Sequence, residues 1–268
     1  MAKKPAAPAK KAPVRKKPAK AKDSLQLSEV RAQIDGLDRQ IQDLITQRAT
    51  WAQKVRAAKG ELKAAVEYYR PERESQILRR VLDRNQGPLS NEVLLRLFRE
   101  IMSACLAQQE PLKVGFLGPE GTFSQQALYK HFGHSAQTLA LASIEEVFQE
   151  IESGNADFGV VPVENSGQGT IQSTLDMFLT SKLKICGEVE LRVHQHLLSR
   201  TGRMEDIERV YSHPQSLAQC KAWLRAHLPH AEKIPVSSNA EAARRARVAD
   251  DCAAIAGETA GYVYGLKV

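Results

Sequence analysis

From Leu27 onward the apolar residues recur at alternating steps of three and four: Leu27, Val30, Ile34, Leu37, Ile41, Leu44, Trp51, Val55 and Ala58, with Arg48 filling the one missing position. This rhythm predicts a single amphipathic helix over 27–59, about 50 Å long at 1.5 Å per residue. Such a length exceeds the diameter of a domain made from this segment alone, so the helix is expected to lie against a partner, and a homodimer is inferred. Pro71 is placed to open a second helix through Ile77, Leu78, Val81 and Leu82. Asn85-Gln86-Gly87-Pro88 ends it, and Ser90 can cap a third helix that carries Val93, Leu94, Leu97, Phe98, Ile101, Met102 and Cys105 inward. Gln109 extends the Phe98–Met102–Cys105 line and adds a polar group to an apolar face.

After Glu110-Pro111 the period changes. Lys113–Leu117 reads as a buried strand followed by the turn GPEGTFS and a helix near 125–132. Asp157–Val163 leads through ENSGQGT into a helix over 171–179, Arg209–Tyr211 through SHPQ into a helix from Leu217, and Ile234–Val236 through SSNA into a helix ending at Arg247. A short strand thus runs four times through a polar or glycine-rich turn into a helix start. The chain therefore divides into a tail at 1–23, an all-α domain at 24–110 and an α/β domain at 112–268.

Composition changes this picture little, and charge changes it once it is located. The formal net charge of +7 suggests a polyanionic partner, but residues 1–22 hold nine Lys or Arg and no acid, leaving 29 basic against 31 acidic residues in the remainder. The folded body is nearly neutral, and the lysine-, alanine- and proline-rich tail has nothing with which to build a core. It is expected to be a disordered extension that touches nucleic acid at most nonspecifically. No run approaches eighteen apolar residues, which excludes a membrane-spanning helix. The four cysteines form no C-x-x-C pair and no apolar signal segment precedes them, so reduced thiols in a cytoplasmic protein are expected. His194-Gln195-His196 offers two rings without a third ligand, so no metal is expected.

The chemistry begins with charges in apolar places. Arg48 stands in the stripe of the first helix, Lys59 lies eleven residues on and projects from nearly the same face, and Arg31 sits on its flank. With Gln109 they could converge on a small polyanion that needs holding rather than attacking. A pericyclic rearrangement fits, because it requires orientation and charge stabilisation but no covalent intermediate or cofactor. The same residues fit a plainer reading, in which Arg48 snorkels and Lys59 is a surface charge at a helix end.

Residues 27–109 resemble the all-helical chorismate mutase domain in VRAQIDGLDRQI, the Arg48–Lys59 spacing, RPERE and the closing glutamine. The resemblance implies an intertwined helical dimer that converts chorismate to prephenate. It further implies that Arg48 and the partner's copy of Arg31 bind the substrate carboxylates, and that Lys59 and Gln109 hydrogen-bond the ether oxygen. Glu74 would hold the ring hydroxyl and Arg73 would support the site. Two departures are Cys105, where the family often has serine, and Arg70, where some members carry aspartate ahead of the Arg-Glu pair.

In the α/β half the free N–H groups at helix starts favour carboxylates or phosphates, while ordinary strand-to-helix turns would look the same. GPEGTFS lacks the lysine of a Walker loop and the G-x-G-x-x-G spacing, which counts against a nucleotide. GPEGTFS, VPVENSGQG, YSHPQSLAQC and AAIAGETAGYVYGL, in that order, resemble the prephenate dehydratase domain, a two-lobed α/β fold with its site between the lobes. Together the halves resemble the bifunctional chorismate mutase/prephenate dehydratases of phenylalanine biosynthesis. This implies a substrate site lined by Glu164, Asn165 and Gln215, with Thr122, Ser124, Ser212 and Ser238 in the same turns; His213, before a proline, reads as structural. The family's Thr-Arg-Phe tripeptide, with its catalytic hydroxyl, is absent from these residues, and so is the regulatory ACT domain. The expectation is an intact mutase beside an impaired dehydratase in a C-terminally truncated chain. The alternative is a mutase whose α/β module binds anions without turning them over.

Overall fold

The computed structural model describes residues 27–60, 69–165 and 169–268, with the side chains of residues 56, 57, 59 and 60 outside that description. The tail at 1–23 and the Lys59 side chain thus lie outside the described residues. Among the described residues, those up to Thr46 and those from Gln47 onward fall into two separate units.

Helix α1 runs unbroken over Leu27–Gly60. Its apolar stripe faces outward: Leu27 is 63% exposed, Leu37 55%, Leu44 63% and Trp51 65%. Helix α2 (Pro71–Arg84) opens on the expected proline and buries no residue, and α3 (Asn91–Ala107) is capped by Ser90, whose hydroxyl accepts from the Val93 N–H. Only Ser103 and Cys105 of α3 are buried. These helices have the pattern of a hydrophobic core without the burial. Gln109 falls in the turn beyond α3 rather than on the helix, its N–H bonded to the Leu106 carbonyl at 2.8 Å.

The α/β half contains two principal sheets. In the first, β1 (Lys113–Leu117) lies between β2 (Gln137–Leu141) and β3 (Phe158–Val160), all parallel. Helix α4 (Phe123–Phe132) covers one face, where its Leu128 and Phe132 join Val114 and Phe116 in a core. Helix α5 (Ile144–Glu152) covers the other, with the Val147 side chain 3.7 Å from where a Cβ on Gly115 would stand. Covered faces on both sides explain why this strand is apolar without alternation. The short hairpin β4 (Glu164–Asn165) and β5 (Gly169–Thr170) leads into α6 (Gln172–Thr180), where the buried Thr174 hydroxyl donates to the Pro162 carbonyl at 2.6 Å.

In the second sheet the order is β6 (His196–Ser199), β9 (Cys252–Ala256), β7 (Arg209–Ser212) and β8 (Glu232–Pro235), with β6 antiparallel to β9 and the rest parallel. Helices α7 (Pro214–Gln219), α8 (Lys221–His227), α9 (Asn239–Ala246) and α10 (Glu258–Tyr264) complete the lobe. Alanine lets α9 approach closely: Ala242, Ala243 and Ala246 pack on Ala254 and Ala256 with no exposed surface.

Gly133, after α4, is where the helical half meets the first lobe. Its φ is +76°, and a Cβ there would stand 2.5 Å from the Ser103 Cβ. Gly133→Ala is therefore expected to destabilise the chain by about 2 kcal/mol, read as a lower urea midpoint. Adding Ser103→Gly should recover the steric part of that loss but not the conformational part.

Candidate active sites

In the helical half, Arg48 is half-buried, with one guanidinium nitrogen 3.4 Å from the Ile101 carbonyl on α3. Glu74, in the first turn of α2, is 17% exposed at its side chain and meets Arg99 of α3 at 3.4 Å. Tyr69 lies just before α2, and burial together with the charge of Glu74 pushes its phenol far up, so it stays protonated. Arg73 turns outward to Gln76 at 3.4 Å, and Arg31 is exposed on α1. Arg48, Glu74 and Gln109 thus sit half-buried on three consecutive segments of the helical half. Arg99 and Tyr69 are site neighbours that pattern reading missed, since neither continues an apolar stripe or a motif of its own. His131 of α4 lies within electrostatic reach of Glu74 and Arg99, and burial pushes its imidazole down from the ordinary value.

In the α/β half, helix starts gather the expected residues. Thr122 caps α4, accepting from the Gln125 N–H while donating to the Leu117 carbonyl at 3.2 Å, and half-buried Ser124 lies in the first turn. The Gln125 side chain, 2% exposed, accepts from the Gly121 N–H at 2.6 Å and holds the GPEG turn from within. That turn touches the second lobe directly. A Cβ on Gly121 would stand 3.0 Å from the Tyr264 ring, the Tyr264 hydroxyl donates to the Glu120 carbonyl at 3.1 Å, and a Cβ on Gly257 would stand 2.7 Å from the Phe123 ring. The first and last motifs of the dehydratase-like half therefore form one seam between the lobes, and its glycines permit the approach.

On the second lobe, the Nδ1 of His213 caps α7 by accepting from the Gln215 N–H at 3.3 Å, which fits the structural role read from the sequence and leaves Gln215's own side chain half-buried. Ser238 caps α9 through the Glu241 N–H. Ser212 is fully buried, its hydroxyl 2.8 Å from the Asn239 Oδ1 and 2.9 Å from the Ile255 carbonyl. It ties β7 to β9 and α9 rather than presenting a hydroxyl at the surface. Asn239, which sequence reading passed over, organises the turns: its Oδ1 accepts from the His213 N–H at 3.0 Å and its Nδ2 donates to the Ser216 hydroxyl at 2.9 Å. The Gln195 Nε2 reaches the same hydroxyl at 3.2 Å, while its Oε1 is buried without a partner among the described residues. Glu164 and Asn165 are exposed on their hairpin. Among the described residues no group of three His, Cys, Asp or Glu could hold a metal, and no helix is long and apolar enough to cross a membrane.

Two family models match the chain, one in each half. The family model for chorismate mutase type II matches residues 30–110, and that for prephenate dehydratase matches residues 114–268. A bifunctional chorismate mutase/prephenate dehydratase of Stutzerimonas stutzeri is 53% identical over 246 residues, covering 90% of this chain and 67% of the relative. A protein of the same description from Pseudomonas aeruginosa is 51% identical over 250 residues, covering 91% and 68%. Among solved structures, a prephenate dehydratase from Arthrobacter aurescens in complex with L-Phe superimposes with a TM-score of 0.53 at 33% identity, covering 59% of this chain and 54% of that one. The chain thus spans about two thirds of the bifunctional relatives and about half of the solved dehydratase.

Proposed function

Because the chain belongs to the bifunctional chorismate mutase/prephenate dehydratase family, we propose that its helical half rearranges chorismate to prephenate and that its α/β half takes prephenate toward phenylpyruvate. The observation that carries the first reading is Arg48, a half-buried cation in the middle of an apolar stripe that is otherwise exposed along α1. A guanidinium in such a face is costly once the face is covered, unless an anion pairs with it. A dicarboxylate substrate supplies that anion. On this reading Arg48 and the partner's copy of Arg31 grip the carboxylates. Lys59 and Gln109 meet the negative charge that grows on the ether oxygen as the C–O bond breaks, and Glu74 holds the ring hydroxyl. Arg73 supports the site from α2. Orientation and electrostatics then do the chemistry, with no covalent step.

The active mutase is a homodimer in this reading, formed through the exposed face of α1, and its setting is the cytoplasm. In the α/β half, Glu164, Asn165 and Gln215 line the prephenate site, with Thr122, Ser124 and Ser238 shaping the turns around it. Expulsion of the ring hydroxyl with carbon dioxide calls for a proton donor at the hydroxyl and for N–H or cationic groups at the carboxylates. The helix starts at α4, α7 and α9 supply N–H groups of the right polarity.

The test is turnover of chorismate by the purified chain at neutral pH, with prephenate and phenylpyruvate resolved chromatographically. Prephenate should form far above the spontaneous background, and background rates alone would reject the mutase reading. Asn165→Ala should weaken prephenate binding about tenfold, the scale of one hydrogen bond to a charged group, and leave chorismate turnover unchanged. A fall in both would mean that the two sites are not separate.

A further inference from the structure

Resting on the prephenate reading of the α/β half, we infer that Asn239 is a positioning residue of the prephenate site, a single side chain that fixes the turns of the second lobe around Gln215. Strands β7, β8 and β9 run parallel, so their carboxyl ends gather at one edge of the sheet. β6, antiparallel to β9, begins at that same edge, with His196 opposite Ala256. In open α/β sheets this edge is where ligands bind. Asn239 stands there half-buried, as the first residue of α9 and directly after the capping Ser238.

Its amide is engaged at both ends. The His213 N–H needs an acceptor and finds the Asn239 Oδ1 at 3.0 Å, which settles the way the amide faces. The same oxygen lies 2.8 Å from the Ser212 hydroxyl, which also meets the Ile255 carbonyl of β9 at 2.9 Å. Nδ2 then donates to the Ser216 hydroxyl of α7 at 2.9 Å, and Gln195, the residue before β6, donates to that hydroxyl from its Nε2 at 3.2 Å. Ser212 and Ser216 are buried, so these bonds are made away from water, where an unmade one is expensive. One amide from the start of α9 thus reaches the turn after β7, the first turn of α7 and the hydroxyls that touch β9 and the approach to β6.

Gln215 lies inside this frame. Its N–H donates to the His213 Nδ1 at 3.3 Å, between a His213 backbone held by Oδ1 and a Ser216 held by Nδ2. Among the described residues, the backbone bond that joins the two turns runs from the Val236 N–H to the Ser212 carbonyl at 2.9 Å and ends one residue short of His213. The amide carries the join onward, and so fixes the backbone from which the Gln215 side chain projects. A group presented from a fixed backbone has less freedom to lose when substrate arrives, which lowers the cost of binding.

Prephenate binding to the full chain at neutral pH, read by titration calorimetry, tests this through a double-variant cycle. Asn239→Ala should raise the prephenate Kd on the order of tenfold, the scale of a buried hydrogen-bond partner left unpaired. Gln215→Ala should raise it as well, and adding Asn239→Ala to that variant should raise it by no more than about twofold further, because the amide acts through a side chain already gone. Combined with Asn165→Ala, on the β4–β5 hairpin, the two losses should multiply. A general loosening of the lobe would weaken binding alike in every background and show no such difference. Chorismate turnover should stay unchanged throughout.

An unchanged Kd in Asn239→Ala, beside a raised Kd in Gln215→Ala, would overturn the positioning role and leave the prephenate reading standing. A loss of the same size in the Gln215→Ala background would overturn it as well. A parent chain that binds no prephenate would remove the prephenate reading itself, and this role with it. Should Asn239→Ala fold poorly, Ser216→Ala cuts the same frame at its far end and spares the bonds to Oδ1. The Kd should again rise in the parent and hardly move in the Gln215→Ala background. A normal Kd in Ser216→Ala would overturn the frame.

Discussion

Lys59→Ala is expected to lower the kcat for chorismate by on the order of a hundredfold or more, the loss seen when one preorganised donor to a developing oxyanion is removed. Lys59 lies at the end of α1, three turns from Arg48. In the proposed role its charge matters most in the transition state, because the ether oxygen gains negative charge only as its bond to carbon breaks. The loss should therefore fall on kcat rather than on KM. The substitution sits in the last turn of a helix, where alanine is well tolerated, so melting temperature and helical signal should hardly move. Prephenate binding by the α/β half should be untouched. A loss of tenfold or less, with the fold intact, would count against the oxyanion role and return Lys59 to an ordinary helix-end charge.

The long helix and the α/β division were legible because both rest on periodicity, which local sequence carries. The three-and-four spacing over Leu27–Ala58 belongs to one unbroken helix, and Pro71 and Ser90 stand where α2 and α3 begin. Less was legible where elements are short or half-exposed. β2 and α5 went unread: every residue of Gln137–Leu141 is partly or fully exposed, as an edge strand allows, so no apolar run marks it. β9 and α10 were read as a motif before they could be read as a strand and a helix.

Side-chain roles were harder still. Ser212 looked like a turn residue open to ligand, yet a contact with Asn239, distant in sequence, buries it. Tyr69 carried no signal at all, because its neighbours Phe132 and Phe158 lie more than sixty residues away and meet it only in the fold. Residue type and spacing thus pointed to the chemistry, while orientation came from tertiary contacts.

Leu37→Glu/Leu44→Glu is expected to abolish the homodimer and, with it, at least about a hundredfold of chorismate turnover. The two leucines are one heptad apart on the stripe of α1, and in the single chain they are 55% and 63% exposed. Burying each against a second copy would contribute about 1.5–3 kcal/mol, and a glutamate in either place would have to lose its hydration instead. Glutamate is a good helix former, so the variant should keep α1 and lose only its partner. On the proposed reading the mutase site then lacks the partner's Arg31, and one of the two carboxylate grips disappears with the interface. Residual activity should rise with protein concentration, as mass action requires of a site completed by association. Prephenate binding in the α/β half serves as the internal control, since its residues and their supports lie within one chain. Sedimentation should show the parent as a dimer and the variant as a monomer. A variant that remains dimeric and fully active would place the dimer contact elsewhere and leave the exposed stripe without its proposed role.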